Sequence, residues 1–159
     1  MKRIIAWMVT LGAVGAVVLW LWPNDERAIR KLLAELGEAV SIHRGQSALG
    51  KIAAASGVVD FFTADVTMEI EGVDLRINDR NDLREAILAA RARLQVLEVK
   101  FEDVHVTVDS EARRAVVYTV ALANMDGQTN AMGRALKMQL HKPEKSWIIS
   151  RVESVAQGQ

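Results

Sequence analysis

The chain has 159 residues, half of them apolar, with 20 basic and 20 acidic side chains that cancel to a formal charge of zero. With no run of like charges, this balance excludes the concentrated Lys and Arg footprint on which phosphate-backbone binding rests, and no nucleic-acid partner is expected. The absence of Cys excludes disulfides, thiolate metal sites, cysteine nucleophiles and lipid attachment through sulfur.

The first element is the stretch from Ile4 to Trp22, IIAWMVTLGAVGAVVLWLW, in which Thr10 is the one plainly polar residue. At about 1.5 Å per residue a helix of this length covers roughly 28 Å, close to the hydrocarbon thickness of a bilayer. A secretory leader has a shorter apolar region and a small-x-small cleavage site. The one tolerable site, Val14-Gly15-Ala16, would leave a mature chain beginning Val17-Val18-Leu19-Trp20. A soluble core helix rarely runs so far without a charge. We therefore read residues 1–23 as a retained single-span anchor, with Trp20 and Trp22 in the headgroup layer and Pro23 ending the helix. Lys2 and Arg3 on one flank nearly balance Arg27, Arg30 and Lys31 on the other. The expected orientation has the amino terminus in the cytoplasm and the domain outside, as in a single-pass protein of a bacterial inner membrane with a periplasmic domain.

Residues 24–156 are the right length for one domain. Asn24 or Asp25 can cap a helix that carries Ile29, Leu32, Leu33, Leu36 and Val40 on one face and ends near Gly45. A second, shorter helical segment carries Leu49, Ile52 and Ala53, is weakened by Gly57, and runs into Val58-Val59-Asp60-Phe61-Phe62. Val66, Met68 and Ile70 alternate with polar residues as a strand ending at Gly72. A third helix begins near Asn81, capped by Asp79 or Asn81, with Leu83, Ile87, Leu88 and Leu94 on its apolar side. The remainder reads as strands. Leu97, Val99 and Phe101 share one face, but Val104, Val106 and Val108 continue the apolar row one residue out of phase, which predicts a bulge near Glu102 and Asp103. The strand from Arg113 to Asn124 is apolar on both faces, with Val116, Tyr118, Val120 and Leu122 on one side and Ala115, Val117, Thr119 and Ala121 on the other. Such a strand needs cover on both sides. Strands around Met132-Leu136-Met138-Leu140 and Trp147-Ile149-Val152 complete the chain.

This order predicts an α+β class: an N-terminal transmembrane helix, then a domain with three helices packed on a curved, mainly antiparallel sheet. With Phe61-Phe62-Thr63-Ala64-Asp65-Val66 before the first strand, Gly72 after it, Asp82-Leu83 opening the third helix, Phe101-Glu102-Asp103-Val104 at the bulge and Trp147-Ile148-Ile149 in the last strand, residues 25 to 155 resemble the nuclear transport factor 2-like superfamily. This is the cone fold shared with SnoaL-like proteins and ketosteroid isomerase. The resemblance implies one of three roles: an isomerase, dehydratase or hydrolase, a non-catalytic binding module, or a membrane-anchored assembly subunit like one component of bacterial type IV secretion. The last group has a similar layout, although this chain is shorter and carries no motif tying it to secretion.

Enzymes of the superfamily use paired acid and base groups inside the cone. The candidates in this chain are Asp60, Asp65, His105, Tyr118 and Arg134, and they form no such pair in sequence. Asp65 reads as a turn-capping carboxylate and His105 as half-exposed. Tyr118, the only Tyr, is either a cavity hydroxyl or a core Tyr bonded to a backbone acceptor. Arg134 interrupts an apolar row, at a cavity mouth or beside a carboxylate. His43, His105 and His141 are too scattered for a metal site, and no cofactor is expected. Two functions follow as expectations: a membrane-anchored, non-catalytic domain that forms a homodimer or joins a membrane-protein assembly, or a small-molecule binder or enzyme with a pocket lined by Met68, Phe101, Tyr118, Arg134 and Met138.

Overall fold

The computed structural model describes residues 25–72, 76–126 and 130–155. The apolar stretch with Trp20 and Trp22 lies outside the described residues, and among those residues no helix is long and apolar enough to cross a membrane.

Helix α1 spans Asp25–Val40, with Asp25 and Glu26 placing negative charge at its positive end and Ile29, Leu33, Leu36 and Gly37 buried. Helix α2 (Ala48–Val59) is capped by the Ser47 hydroxyl, which accepts from the Gly50 amide at 3.1 Å. Strands β1 (Phe62–Glu69) and β2 (Arg76–Ile77) lead to helix α3 (Arg80–Arg93), whose Asp79 cap accepts from the amides of Asn81 and Asp82 at 2.7 and 2.8 Å. Strands β3 (Leu97–Asp109), β4 (Arg114–Met125), β5 (Met132–His141) and β6 (Ile148–Ser154) follow.

In α2 the apolar Leu49 and Ile52 are 79% and 55% exposed, while Ala55, Val58 and Val59 are buried. The sequence ALGKIAAASGVV is apolar almost all round, so periodicity selects no face. The valines that lead directly into β1 fix which side turns in.

The six strands form one sheet in the order β2-β1-β6-β5-β4-β3. All neighbours are antiparallel except β1 and β6, whose parallel pairing makes the sheet mixed. The predicted bulge is present: the β3–β4 register shifts between Glu102 and His105, and Asp103 takes a left-handed φ of 50°. Before the shift Phe101 pairs with Ala121, and after it Val106 pairs with Val117, so the apolar row stays on the helix-covered face. The buried Thr119 hydroxyl donates to the Glu102 carbonyl at 2.7 Å and gives the kinked backbone a partner.

The core gathers Ile29, Leu33 and Leu36 of α1, Val58 and Val59 of α2, Leu83 of α3, and Phe62, Val66, Val117, Met138, Leu140, Ile149 and Val152 of the sheet, with Trp147 beside them. Helix α1 lies so close to β3 that a β-carbon on Gly37 would stand 3.0 Å from the Val99 carbonyl oxygen. Ser41 extends this contact, donating its hydroxyl to the Gly37 carbonyl and accepting from the Val99 amide.

Candidate functional site

The antiparallel register decides where each candidate side chain points. Val117 pairs with Met138 and Thr119 with Leu136 on the buried face, so Tyr118, paired with Lys137, projects from the opposite face and is 47% exposed. Tyr118 is therefore neither a cavity hydroxyl nor a core residue. Val116 and Val120 share that outer face, half-buried, with Leu122. The five residues expected to line one pocket are not brought together. Met138 is core, Met68 packs at its margin, Phe101 lies over it from the β3 side, and Arg134 stands at the far end of the β5 row.

Arg134 resolves its own ambiguity. It is on the Ala121 side of the sheet, where its guanidinium donates to the Glu71 carbonyl rather than to a carboxylate. It lines a recess of about 300 Å³ with Glu71, Gly72, Gly133 and Ser154, and the Ser154 hydroxyl accepts from the Glu71 amide at 2.7 Å. Arg134 thus tacks the end of β1 to β5 and β6.

Asp60, Asp65 and His105 are exposed. His105 Nδ1 donates to the Asp103 carbonyl at 2.8 Å and serves the bulge. Among the described residues no group of three or more His, Cys, Asp or Glu is placed to hold a metal ion.

Among the described residues, three surface grooves have dimensions suited to a ligand. One, of about 630 Å³, runs between α1 and β3, with Leu33, Gly37, Val99, Phe101 and Val104 as its apolar wall and Arg30, Glu38 and Lys100 on its rim. The surface pair beside it, Glu98 and Lys100, is bonded at 2.7 Å, which lowers the Glu98 pKa and raises that of Lys100. The other two grooves, of about 680 and 520 Å³, adjoin at the end of the domain where α1 begins, and both include Arg113 and Lys142.

At that end Asp25 accepts from Lys142 Nζ at 2.6 Å and from the Trp147 indole at 3.1 Å, while the ammonium lies 5.7 Å from the centre of the Trp147 ring. The hydrogen bond from Lys142 lowers the Asp25 pKa below its ordinary 3.8, against the opposing effect of burial. A folded pKa below the unfolded one contributes stability that is complete above 3.8 and is lost as pH falls through the folded value. We expect Asp25→Asn to lose about 1–2 kcal/mol at neutral pH. Urea unfolding of both proteins checks this, with the gap narrowing as pH falls below 3.8.

The buried cation the sequence did not reveal is Arg91, in the last turn of α3 and 1% exposed. It donates to the carbonyls of Ala39, Val40 and Ser41 at 2.7, 3.4 and 3.4 Å and to Gln46 Oε1 at 3.2 Å, closing the C-terminal end of α1. Its signal, an Arg among the polar residues of an amphipathic helix, is indistinguishable in sequence from that of a solvent-facing one.

No protein-family model and no curated protein matches the chain. Solved structures do. A nuclear transport factor 2-like protein of unknown function from Pseudomonas putida aligns at a TM-score of 0.67 and 9% identity, over 85% of this chain and 88% of that one. The cone fold is shared. A nuclear transport factor 2-like protein with a cystatin-like fold from Novosphingobium aromaticivorans aligns at 0.64 and 16% identity, over 94% and 92% of the two chains. A protein from the same organism, provisionally described as a scytalone dehydratase, aligns at 0.60 and 14% identity, over 84% and 85%. At identities this low the alignments show the fold alone and leave activity to be argued from the site.

Proposed function

We propose that the chain is a membrane-anchored, non-catalytic domain of the cone fold that assembles through the outer face of its sheet, first of all with a second copy of itself. The observation that carries this is the outward-facing row of exposed Tyr118 with half-buried Val116, Val120 and Leu122, on the sheet face opposite the helix-packed core. A rigid aromatic with a polar tip, flanked by β-branched residues on a strand, suits protein recognition better than solvent. Catalysis lacks comparable support, because the candidate acids and bases sit on the surface and form no pair. The membrane part of the proposal rests on the length and composition of residues 4–22.

The test is the native mass of the full chain, extracted from its membrane fraction in mild detergent and measured by light scattering. A dimer or a larger particle is expected. A single copy at high concentration overturns assembly and favours a second reading, a small apolar ligand in the groove between α1 and β3, for which the wall of Leu33, Val99, Phe101 and Val104 is the supporting feature.

A further inference from the structure

The two grooves at the α1 end of the domain bring several basic side chains together. The larger is lined by Arg113, Arg114, His141 and Lys142, with Gln139 and Ser150, and contains no carboxylate. The smaller adds Lys145 and is bounded by Asp25 and Glu144. Asp25 is already occupied by Lys142, and Glu144 accepts from Arg113 through its backbone carbonyl rather than its side chain. Arg114 and His141 are directly paired across β4 and β5, so they project from the same face. The Arg114 and Lys145 side chains form no hydrogen bond or ion pair among the described residues. Carboxylates nearby are Asp109, whose Oδ1 accepts from the Ala112 amide within the β3–β4 turn, and the exposed Glu111.

The placement gives this cluster its meaning. The β3–β4 turn and the β5–β6 turn converge on Asp25, two residues beyond Pro23, where the apolar stretch ends. If residues 4–22 cross a bilayer, the Asp25 end of the domain is held close to the headgroups, inside the distance over which an anionic surface attracts Lys and Arg. Guanidinium groups suit phosphate because their planar donors engage two oxygens at once.

We infer that the groove of Arg113, Arg114, His141 and Lys142, with Lys145 at its edge, binds the phosphate of an anionic phospholipid headgroup and seats the domain against the membrane. This rests on the membrane-anchored reading and goes beyond it by naming a lipid partner and its site. The anchor alone would leave the domain free to swivel, whereas a headgroup contact fixes which sheet face is presented to a partner.

The experiment uses the full chain in lipid nanodiscs, one set of pure phosphatidylcholine and one with a third phosphatidylglycerol, and reads amide hydrogen exchange at residues 110–116 and 139–145. Expected is slower exchange in both segments in the anionic discs only. Arg114→Gln combined with Lys145→Gln should reduce that protection about tenfold while leaving exchange in the core strands unchanged. Equal exchange in both discs overturns the headgroup site and leaves the anchor standing. Failure of the chain to enter either disc overturns the anchor, and the lipid with it. Protection by millimolar inorganic phosphate in detergent, matched by none from anionic discs, assigns the groove to a soluble anion and overturns the lipid.

Discussion

Arg91→Met is expected to lower the unfolding free energy of the domain by about 3 kcal/mol or more, a large share of the roughly 5–15 kcal/mol that holds a domain of this size. Met fills most of the volume, so the loss is not chiefly that of a cavity. It comes from the last turn of α1, where the Ala39, Val40 and Ser41 carbonyls would be left without their donor. Two effects oppose each other here. Burial penalises the Arg91 charge and lowers its pKa, while several acceptors and the negative end of the α1 dipole favour it. The acceptors win, since bonds to a charged donor contribute about 1.5–3 kcal/mol each. Arg91→Lys, which keeps charge but not the planar fork, should fall between the two. Urea unfolding with an unchanged slope checks both variants, and a midpoint for Arg91→Met equal to that of the parent would show that water satisfies those carbonyls instead.

Tyr118→Glu carries the second large effect. Placed in the middle of the outer row, a carboxylate in each copy would meet its counterpart or an apolar surface across the interface, at a cost of several kcal/mol. The native particle should therefore fall to a single copy at concentrations where the parent is fully assembled, a loss of about a hundredfold or more in association. Because Tyr118 is already nearly half exposed, the melting temperature of the dissociated chain should stay close to that of the parent. An unchanged mass would place the partner elsewhere on the domain.

Much of the fold was legible in the sequence because it follows from local pattern. The α1 face of Ile29, Leu33 and Leu36, the Asp79 cap of α3 and the phase slip that announces the bulge at Asp103 each lie within a few residues of chain, where periodicity and turn chemistry speak directly. The misread features are those set by distant partners. Tyr118 alternates with Val117 and Thr119, and only the pairing of Val117 with Met138 tells which of two apolar faces turns inward. Helix α2, apolar almost all round, offers no face in sequence from which its buried side could be read. Arg91 and Arg134 act on carbonyls 50 and 63 residues away, at Ser41 and Glu71, and nothing in their neighbours marks them. The candidate site suffered most, since the pocket expected of five residues drew on side chains that the sheet distributes over two faces and one edge.

The position of β6 also dictates when the molecule can become whole. It lies between β1 and β5, and its Ile149 aligns with Phe62, so the first and last strands made are immediate neighbours. Until about residue 154 has left the ribosome, β1 and β2 have no route into the sheet, and Phe62 and Val66 stand without the strand that covers them. Contacts this remote along the chain make assembly slow. A domain built this way spends its synthesis as an unfinished hairpin stack with a ready strand slot, a window in which a holding chaperone, or the strand of a neighbouring nascent chain, competes for the place of β6.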